Sequence, residues 1–500
     1  MRNKKKIISI LNSRRSLRLC GEFLVIALIL VGCSVGPNYK TPENTVSTTW
    51  PEKPEDTDAP LIKWWEVFED EFLNKYIATA VEYNNDVLSA TSNILQARAM
   101  RQIVASAFFP QIGADVNATR TYFSKNGPVF AGSDTKGVDS APGGLPFFLQ
   151  APQLQSLYNA VIDATWEIDI WGKTRRQTEA ASAYIGQSIE ERNDVLISVM
   201  AEIANNYIEL RAAQKESRLI EENILLLEIE YVLIHKQFEV GYVSRLDDEI
   251  IRATLSEERA KLPELTAQIH RNIYTLSILT GAIPEALLEE LLPPQELPKI
   301  PETIAVGLRS DLLRRRPDIR KVERELARAT ADIGVAVASF FPSLVLIGDG
   351  GFQSLSLSNL FNMASKTWSI GGDINLPIFQ GGSLVGNLRA KRAKTESVAH
   401  AYQQTILKAL QETESAIVTY TQDLQIIKDR TEAKNRYADL LFLSKERYTK
   451  GLVNLLKLLD AERQYNYSEQ QLLDSATKTL LDTIYLYKAL GGGWEAEFTN

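Results

Sequence analysis

Two cysteines and three histidines are the groups with the most distinctive chemistry in this chain of 500 residues. Cys33 closes the stretch Leu30-Val31-Gly32-Cys33, where small residues run directly into a lone cysteine. That pattern is a bacterial lipobox, so the Cys33 thiol is expected to carry the lipid and to become the first residue after cleavage. Cys20 would leave with the cleaved segment, which leaves Cys33 alone and rules out an intramolecular disulfide. His235, His270 and His400 lie in separate helical stretches with neither a nucleophile pattern nor metal-ligand spacing around them. Lone helical histidines are solvated or packed far more often than catalytic, so no enzyme, no cofactor and no metal site is expected. Most carboxylates read as solvated helix faces.

The segment ahead of Cys33 has to deliver it to a membrane. It begins with Lys4, Lys5, Lys6, Arg14, Arg15 and Arg18 and continues with the apolar run Phe23 to Leu30. A run of about ten residues falls well short of the roughly 20 that span a bilayer, so residues 1–32 read as an export signal rather than an anchor. Ser13-Arg14-Arg15-Ser16-Leu17-Arg18 also looks like a twin-arginine signal. Ordinary unfolded secretion ranks ahead of it, because a barrel must fold at its destination. Without residues 1–32 the chain holds 48 basic against 62 acidic residues, a net charge of about −14. Nucleic acid is therefore not an expected partner, since phosphate backbones demand clustered Lys and Arg.

Beyond residue 33 the two halves resemble each other, the mark of an internal repeat. Ala107-Phe108-Phe109-Pro110 answers to Ser339-Phe340-Phe341-Pro342, and Phe238-Glu239-Val240-Gly241 to Tyr448-Thr449-Lys450-Gly451 at an offset of 210 positions. Each Phe-Phe-Pro corner should end a helix, because proline cannot continue it. Alternation of two then predicts strands: Ile112 to Ala118, Ala160 to Ile170, Leu344 to Phe352 and Trp368 to Phe379. Ser124 to Gln155, rich in glycine, proline and serine, reads as an exposed loop, and its counterpart near Ser354 to Lys366 is much shorter.

Long helices make up the rest of each half. Gln187 to Val240, Asn387 to Lys450 and Leu452 to Leu490 contain no glycine or proline. The middle one alone would reach nearly 100 Å at about 1.5 Å per residue. Ile406, Leu410, Thr413, Ile417, Tyr420 and Leu424 recur at steps of four and three, as do Leu196, Met200, Ile203, Tyr207 and Leu210. A mean period of 3.5 predicts left-handed supercoiling. Gly241 and Gly451 should end their helices, with Ser244 and Asp247 forming a capping box for the next and Asn454 capping its equivalent.

Four strands cannot close a channel, and hydrocarbon cannot satisfy open sheet edges, so several chains must share one barrel. From Cys33 onward the sequence resembles the TolC superfamily, in particular the lipid-anchored OprM-like (NodT-type) branch of outer-membrane efflux factors. The residues that carry the resemblance are Cys33-Ser34-Val35-Gly36-Pro37-Asn38-Tyr39 and Trp64-Trp65 with Phe68, Asp70 and Leu73. To these add Ser310-Asp311-Leu312-Leu313-Arg314-Arg315-Arg316-Pro317-Asp318-Ile319-Arg320, both Phe-Phe-Pro corners, and Leu458-Leu459-Asp460-Ala461-Glu462. Trp64-Trp65 reads as packing rather than a ligand site, and the arginines before Pro317 as partners for nearby carboxylates.

The resemblance implies an α+β membrane protein: a homotrimer whose twelve-stranded β-barrel, four strands per chain, continues into a long periplasmic α-helical barrel. The expected organisation is a signal peptide at 1–32; anchor, N-terminal segment and first helix at 33–105; first β-hairpin with its external loop at 106–171; and first long helical hairpin at 172–281. An equatorial linker and helix follow at 282–338, then the second β-hairpin at 339–380, the second long helical hairpin at 381–490 and a tail at 491–500. The resemblance further implies an outer-membrane efflux channel that passively conducts small molecules, docked to a periplasmic adaptor and an inner-membrane transporter of the resistance-nodulation-division type. The hairpin tips around Gly241, Ser244, Asp247, Gly451 and Asn454 would face the adaptor. Leu456 and Asp460 would narrow the periplasmic opening near the threefold axis. Val453 and Lys457 stand where relatives often have acidic or polar residues, so Lys457 would partly neutralise the ring. A protein-secretion duct is the runner-up, and a structural coiled-coil lipoprotein a more distant one, since it leaves the paired strand hairpins unexplained.

Overall fold

The computed structural model describes residues 34–42, 47, 49–50, 62–124 and 153–495. The export signal, Cys33 and most of the Ser124 to Gln155 loop lie outside the described residues. The chain divides into two units. One holds the chain up to Tyr39 with Ala99–Ser182 and Ala327–Thr395, and the other holds Lys40–Arg98, Ala183–Leu326 and Glu396–Asn500.

The first unit is built on one antiparallel sheet of four strands in sequential order: β1 (Gln111–Tyr122), β2 (Leu154–Ile168), β3 (Ser343–Ser354) and β4 (Lys366–Asn375). Two strand ends differ from the sequence expectation. β2 stops at Ile168 rather than Ile170 because the Asp169 carboxylate turns back to accept from Thr174 N at 3.2 Å and Arg175 N at 3.0 Å, capping the helix that follows. β4 stops at Asn375 rather than reaching Phe379, since Pro377 offers no donor to a ladder.

The second unit is helical. α1 (Glu71–Tyr83) and α2 (Asn85–Ala105) precede β1; α3 (Lys173–Glu239) and α4 (Arg245–Leu279) follow β2; α5 (Pro317–Ala338) precedes β3; α6 (Ser383–Thr449) and α7 (Leu455–Ala489) follow β4. α3 and α6 both contain 67 residues, and α4 and α7 both contain 35. α3 continues through Gly186 and α6 through Gly386, a cost of about 1 kcal/mol each that so long a ladder absorbs. Pro263 lies inside α4.

The core of this unit is the apolar stripe of α3. Leu196, Met200, Ile203, Tyr207 and Leu210 are buried in one cluster with Leu73, Tyr76 and Ile77 of α1, Ile273 and Leu276 of α4, and Leu480, Ile484 and Tyr487 of α7. Each such side chain contributes about 1.5–3 kcal/mol of burial. Farther along α3, Ile220, Ile224 and Ile234 stay buried, while Leu225, Ile229 and Val232 on an adjoining face are exposed.

Candidate functional site

The register of the sheet decides what each face can do. Residues directly opposed in an antiparallel pair share a face. Ile112↔Ala164, Ala114↔Ile162 and Val116↔Ala160 continue across β3 into Ala164↔Gly348, Trp166↔Leu346, Leu344↔Ile374 and Gly348↔Ile370. Over these pairs the face is apolar and bare, with Val116 78% and Ile370 81% exposed, while Arg120 and Lys366 share it at the β1–β2 and β3–β4 loop end. The opposite face carries Asp115, Asp163, Glu167, Asp349 and Asp373 and, within the paired strands, no lysine or arginine. Its polar groups serve one another: Asn117 donates to Asp115 at 2.6 Å, Asn159 to Asn117 at 3.0 Å, and the Ser369 hydroxyl to Asp349. β1 and β4 each pair on one side only, so both ends of the sheet present an unpaired ladder. The sheet thus has one bare apolar face, one polar face and two open edges.

The foot of this sheet is fixed by two indoles. Trp166 Nε1 donates to the Phe108 carbonyl at 3.0 Å, and Trp171 Nε1 to the Pro342 carbonyl at 2.9 Å, so each Phe-Phe-Pro corner receives one. Trp171 also stacks on Phe341 with centroids 4.7 Å apart. The residues after Cys33 dock at the same place. Val35 N donates to the Trp171 carbonyl at 3.1 Å, while Arg176 donates to Val35 O at 3.2 Å, Gly36 O at 3.3 Å and Asn38 Oδ1 at 2.6 Å. Gly36 has φ +90°, and a Cβ there would meet the Gly334 Cα at 2.6 Å, so only glycine lets this segment lie against α5. Neither Trp171 nor Arg176 was singled out from sequence; their partners are carbonyls, which leave no side-chain pattern.

In the helical unit both hairpin turns have the same geometry. Gly241 (φ +81°) and Gly451 (φ +70°) end α3 and α6, with Tyr242 N bonding Gln237 O at 2.8 Å and Leu452 N bonding Arg447 O at 2.9 Å. These six-to-one bonds satisfy carbonyls that the helix leaves orphaned. Ser244 and Asp247 form a reciprocal capping box on α4, and the Asn454 side chain accepts from Lys457 N at 3.2 Å on α7. The box holds the Asp247 carboxyl below its usual range, chiefly through the Ser244 side chain. Leu456 is 56% exposed on the first turn of α7. Asp460 lies one turn on, accepting from Arg463 at 3.1 Å and Gln464 at 3.0 Å. The cation against Asp460 is thus Arg463, where the sequence had pointed to Lys457.

The Arg-Arg-Arg-Pro-Asp run is structural glue. Arg316, buried at the start of α5, donates to Asp318 at 2.7 Å, Glu412 of α6 at 2.7 Å and the Ala489 carbonyl at the end of α7 at 3.1 Å. These partners raise its pKa against an opposing desolvation that is individually the largest influence. Asp70 caps α1 through Leu73 N and accepts one bifurcated hydrogen bond from the Tyr207 hydroxyl, whose oxygen lies 2.9 and 2.8 Å from its two carboxylate oxygens. Trp64 stacks on Tyr487 at 5.6 Å within the core, whereas Trp65 lines a cavity of about 530 Å³ with Ile77, Val81, Leu196, Met200 and Trp494. Among the described residues no group of His, Cys, Asp and Glu is placed to hold a metal ion. His235 meets Asp248 at 2.9 Å and His270 the Thr266 carbonyl at 2.8 Å, apart from each other. No described helix is long and apolar enough to cross a membrane.

A family model described as outer membrane efflux protein matches residues 76–282 and 308–492. The chain is 32% identical to the probable efflux pump outer membrane protein TtgC of Pseudomonas putida, across 94% of this chain and 94% of that protein. Its fold is similar to that of the outer-membrane channel OprN, with a TM-score of 0.81 and 29% identity over 93% of this chain and 100% of that one. It is also similar to the CmeC outer membrane channel of Campylobacter jejuni, with a TM-score of 0.80 and 25% identity over 92% of this chain and 95% of that one.

Proposed function

The chain belongs to the outer membrane efflux protein family, and we propose that three copies join their sheets edge to edge into one twelve-stranded barrel. The protein is the outer-membrane channel component of an efflux pump. The observation that carries the trimer reading is the sheet itself, bare and apolar on one face, acidic on the other, and open at both edges. In hydrocarbon each open edge would leave several unsatisfied peptide groups, and closure through identical copies removes them all. The acidic face then lines the lumen.

Below the barrel, the long paired helices of the three copies form a periplasmic tube, the two halves of each chain acting as repeats of one unit. Its hairpin tips meet a periplasmic adaptor, which couples the channel to an inner-membrane transporter of the resistance-nodulation-division type. Small toxic molecules and drugs pass through passively. Cys33 carries the lipid. Support for this comes from Ser34 to Asn38, docked at the Trp171 corner just past the end of β2. An acyl chain attached there begins at the level where the strands leave the bilayer.

The periplasmic opening is narrowed by Leu456 and Asp460, one turn apart and so on the same face of α7. The reading is tested in planar bilayers. Purified wild-type protein should give discrete channels, and Leu456→Ala combined with Asp460→Ala should raise single-channel conductance at least about twofold. Wild-type conductance in the double variant, at normal trimer levels, would place the constriction elsewhere; no conductance in any sample would defeat the channel reading.

A further inference from the structure

Each helical hairpin is clipped to itself by opposite charges. In the first, Arg252 of α4 pairs with Asp248 and donates to Tyr231 of α3, and Arg259 pairs with Glu228. In the second, Lys434 of α6 pairs with Glu469 of α7, and Asp423 with Lys478. Contacts from the first hairpin to the second have another chemistry. Along α3 and α7, Gln470 donates to Glu216 at 2.9 Å, Asn466 donates to Asn223 at 2.5 Å, and the same register then sets the Glu462 carboxyl beside that of Glu230. Two carboxylates have only acceptors, so this last rung exists only while one of them holds a proton.

The rung nearest the tips is thus the one that depends on a proton. Glu230 lies about 15 Å up α3 from Gly241, and Glu462 follows Asp460 by two residues. The charged groups on the surrounding helices are committed elsewhere. On α4, Arg252 and Asp248 hold Tyr231 and His235, and Arg259 holds Glu228. On α6, Lys434 holds Glu469; on α7, Arg463 holds Asp460. His235, between Asp248 and Glu239, is the other titratable group at this level of α3. At the far rung, Glu216 is raised mainly by burial, with Asp474 adding to it and Lys261 of α4 opposing.

We propose that Glu230 and Glu462 form a proton-dependent latch between the two helical hairpins: one shared proton ties α3 to α7 near the tips, and its loss makes the carboxylates repel and lets the tip ends part. Burial first, and Glu462 second, push the Glu230 carboxyl up to about 9. The latched state therefore holds a proton that the parted state, with an ordinary carboxyl near 4.5, gives up. Raising the pH between those values favours parting by up to about tenfold per unit for the one proton, and above about 9 the latch is fully lost. The consequence for conduction rests on the proposed gate at Leu456 and Asp460; the latch itself does not.

Spin labels at Leu226→Cys on α3 and Tyr467→Cys on α7, both exposed, read the separation by pulsed electron resonance in the intact purified protein. The short-distance population should fall at least tenfold relative to the long one between pH 6 and pH 9.5. Glu462→Gln supplies an amide N–H in place of the proton, so its distances should stay short throughout. Glu230→Gln should do the same and stands in if the first variant folds poorly. A flat wild-type profile overturns the proposal, as does a Gln variant that keeps the wild-type pH dependence and so moves the effect to His235 or another group. Bilayer conductance at pH 7 on the same samples separates the two readings. Conducting protein with a flat profile sinks the latch alone, and a silent bilayer with pH-dependent distances sinks the channel alone.

Discussion

Arg176 shows how one side chain can hold the segment that follows a proposed acylation site, Cys33. A lipobox thiol is a substrate for acylation only if its neighbours leave it accessible at the membrane. Arg176 supplies the fixture by binding three oxygens of the Val35-to-Asn38 segment. Metabolic labelling with a fatty-acid probe is expected to mark the wild-type chain and to leave Cys33→Ser unlabelled; equal labelling of the two would remove Cys33 from the role. Other residues named from sequence keep modest local duties. Ser244, Asp247 and Asn454 satisfy helix-end donors, a contribution of about 1 kcal/mol each. That is what capping residues are for, and it stands whatever the tips go on to touch.

At the scale of elements, the sheet has one bare apolar face and one acidic face. Ile370, on the bare apolar face, and its neighbour Ser369, on the acidic face, provide a direct comparison. In a sheet that stayed in water, a lysine at either place would be nearly neutral. If the apolar face meets hydrocarbon, Ile370→Lys costs about 2–4 kcal/mol near the bilayer midplane, whereas Ser369→Lys faces the lumen and costs far less. Heat-modifiability on gels and recovery in the outer-membrane fraction should both fall sharply for Ile370→Lys and little for Ser369→Lys. Equal recovery would put water on both faces. The helices read differently: α3 packs through apolar residues from Leu196 to Leu210, and beyond Leu210 polar contacts at Glu216 and Asn223 join buried Ile220, Ile224 and Ile234.

For the whole molecule, the two unpaired strands are the decisive feature. β1 of one copy and β4 of the next are the edges that closure must join. Cysteines placed along β1 at Ala114, Val116 or Ala118 and along β4 at Trp368, Ile370 or Gly372 should therefore cross-link between chains, since Cys33 is the only other cysteine past residue 32. Oxidised samples are expected to give a ladder that ends at three chains for at least one pair. Monomers alone across every pair, or a ladder running past three, would refute closure by three copies. The external loop between β1 and β2, read from sequence as Ser124 to Gln155, would then crown the barrel.

What the sequence determined by itself is whatever depends on local periodicity and turn chemistry. The period of two around Ile112 and Ile162, the period of 3.5 along α3 and α6, the glycines at 241 and 451 and the caps after them were all legible, because each is enforced by residues a few positions apart. The lipobox and the long Ser-Asp-Leu-Leu-Arg-Arg-Arg-Pro-Asp run marked the family for the same reason. Boundaries were less legible: α3 runs through Gly186, and β2 yields to the Asp169 cap, because a long ladder or a single carboxylate outweighs propensity. Tertiary structure alone decided which distant groups meet. Nothing local pairs Arg316 with Glu412, Trp171 with Pro342, or Glu230 with Glu462, since each partner lies more than ninety positions away and is chosen by helix crossing and strand register. A charge on a helix face looks solvated until the fold brings a second helix against it.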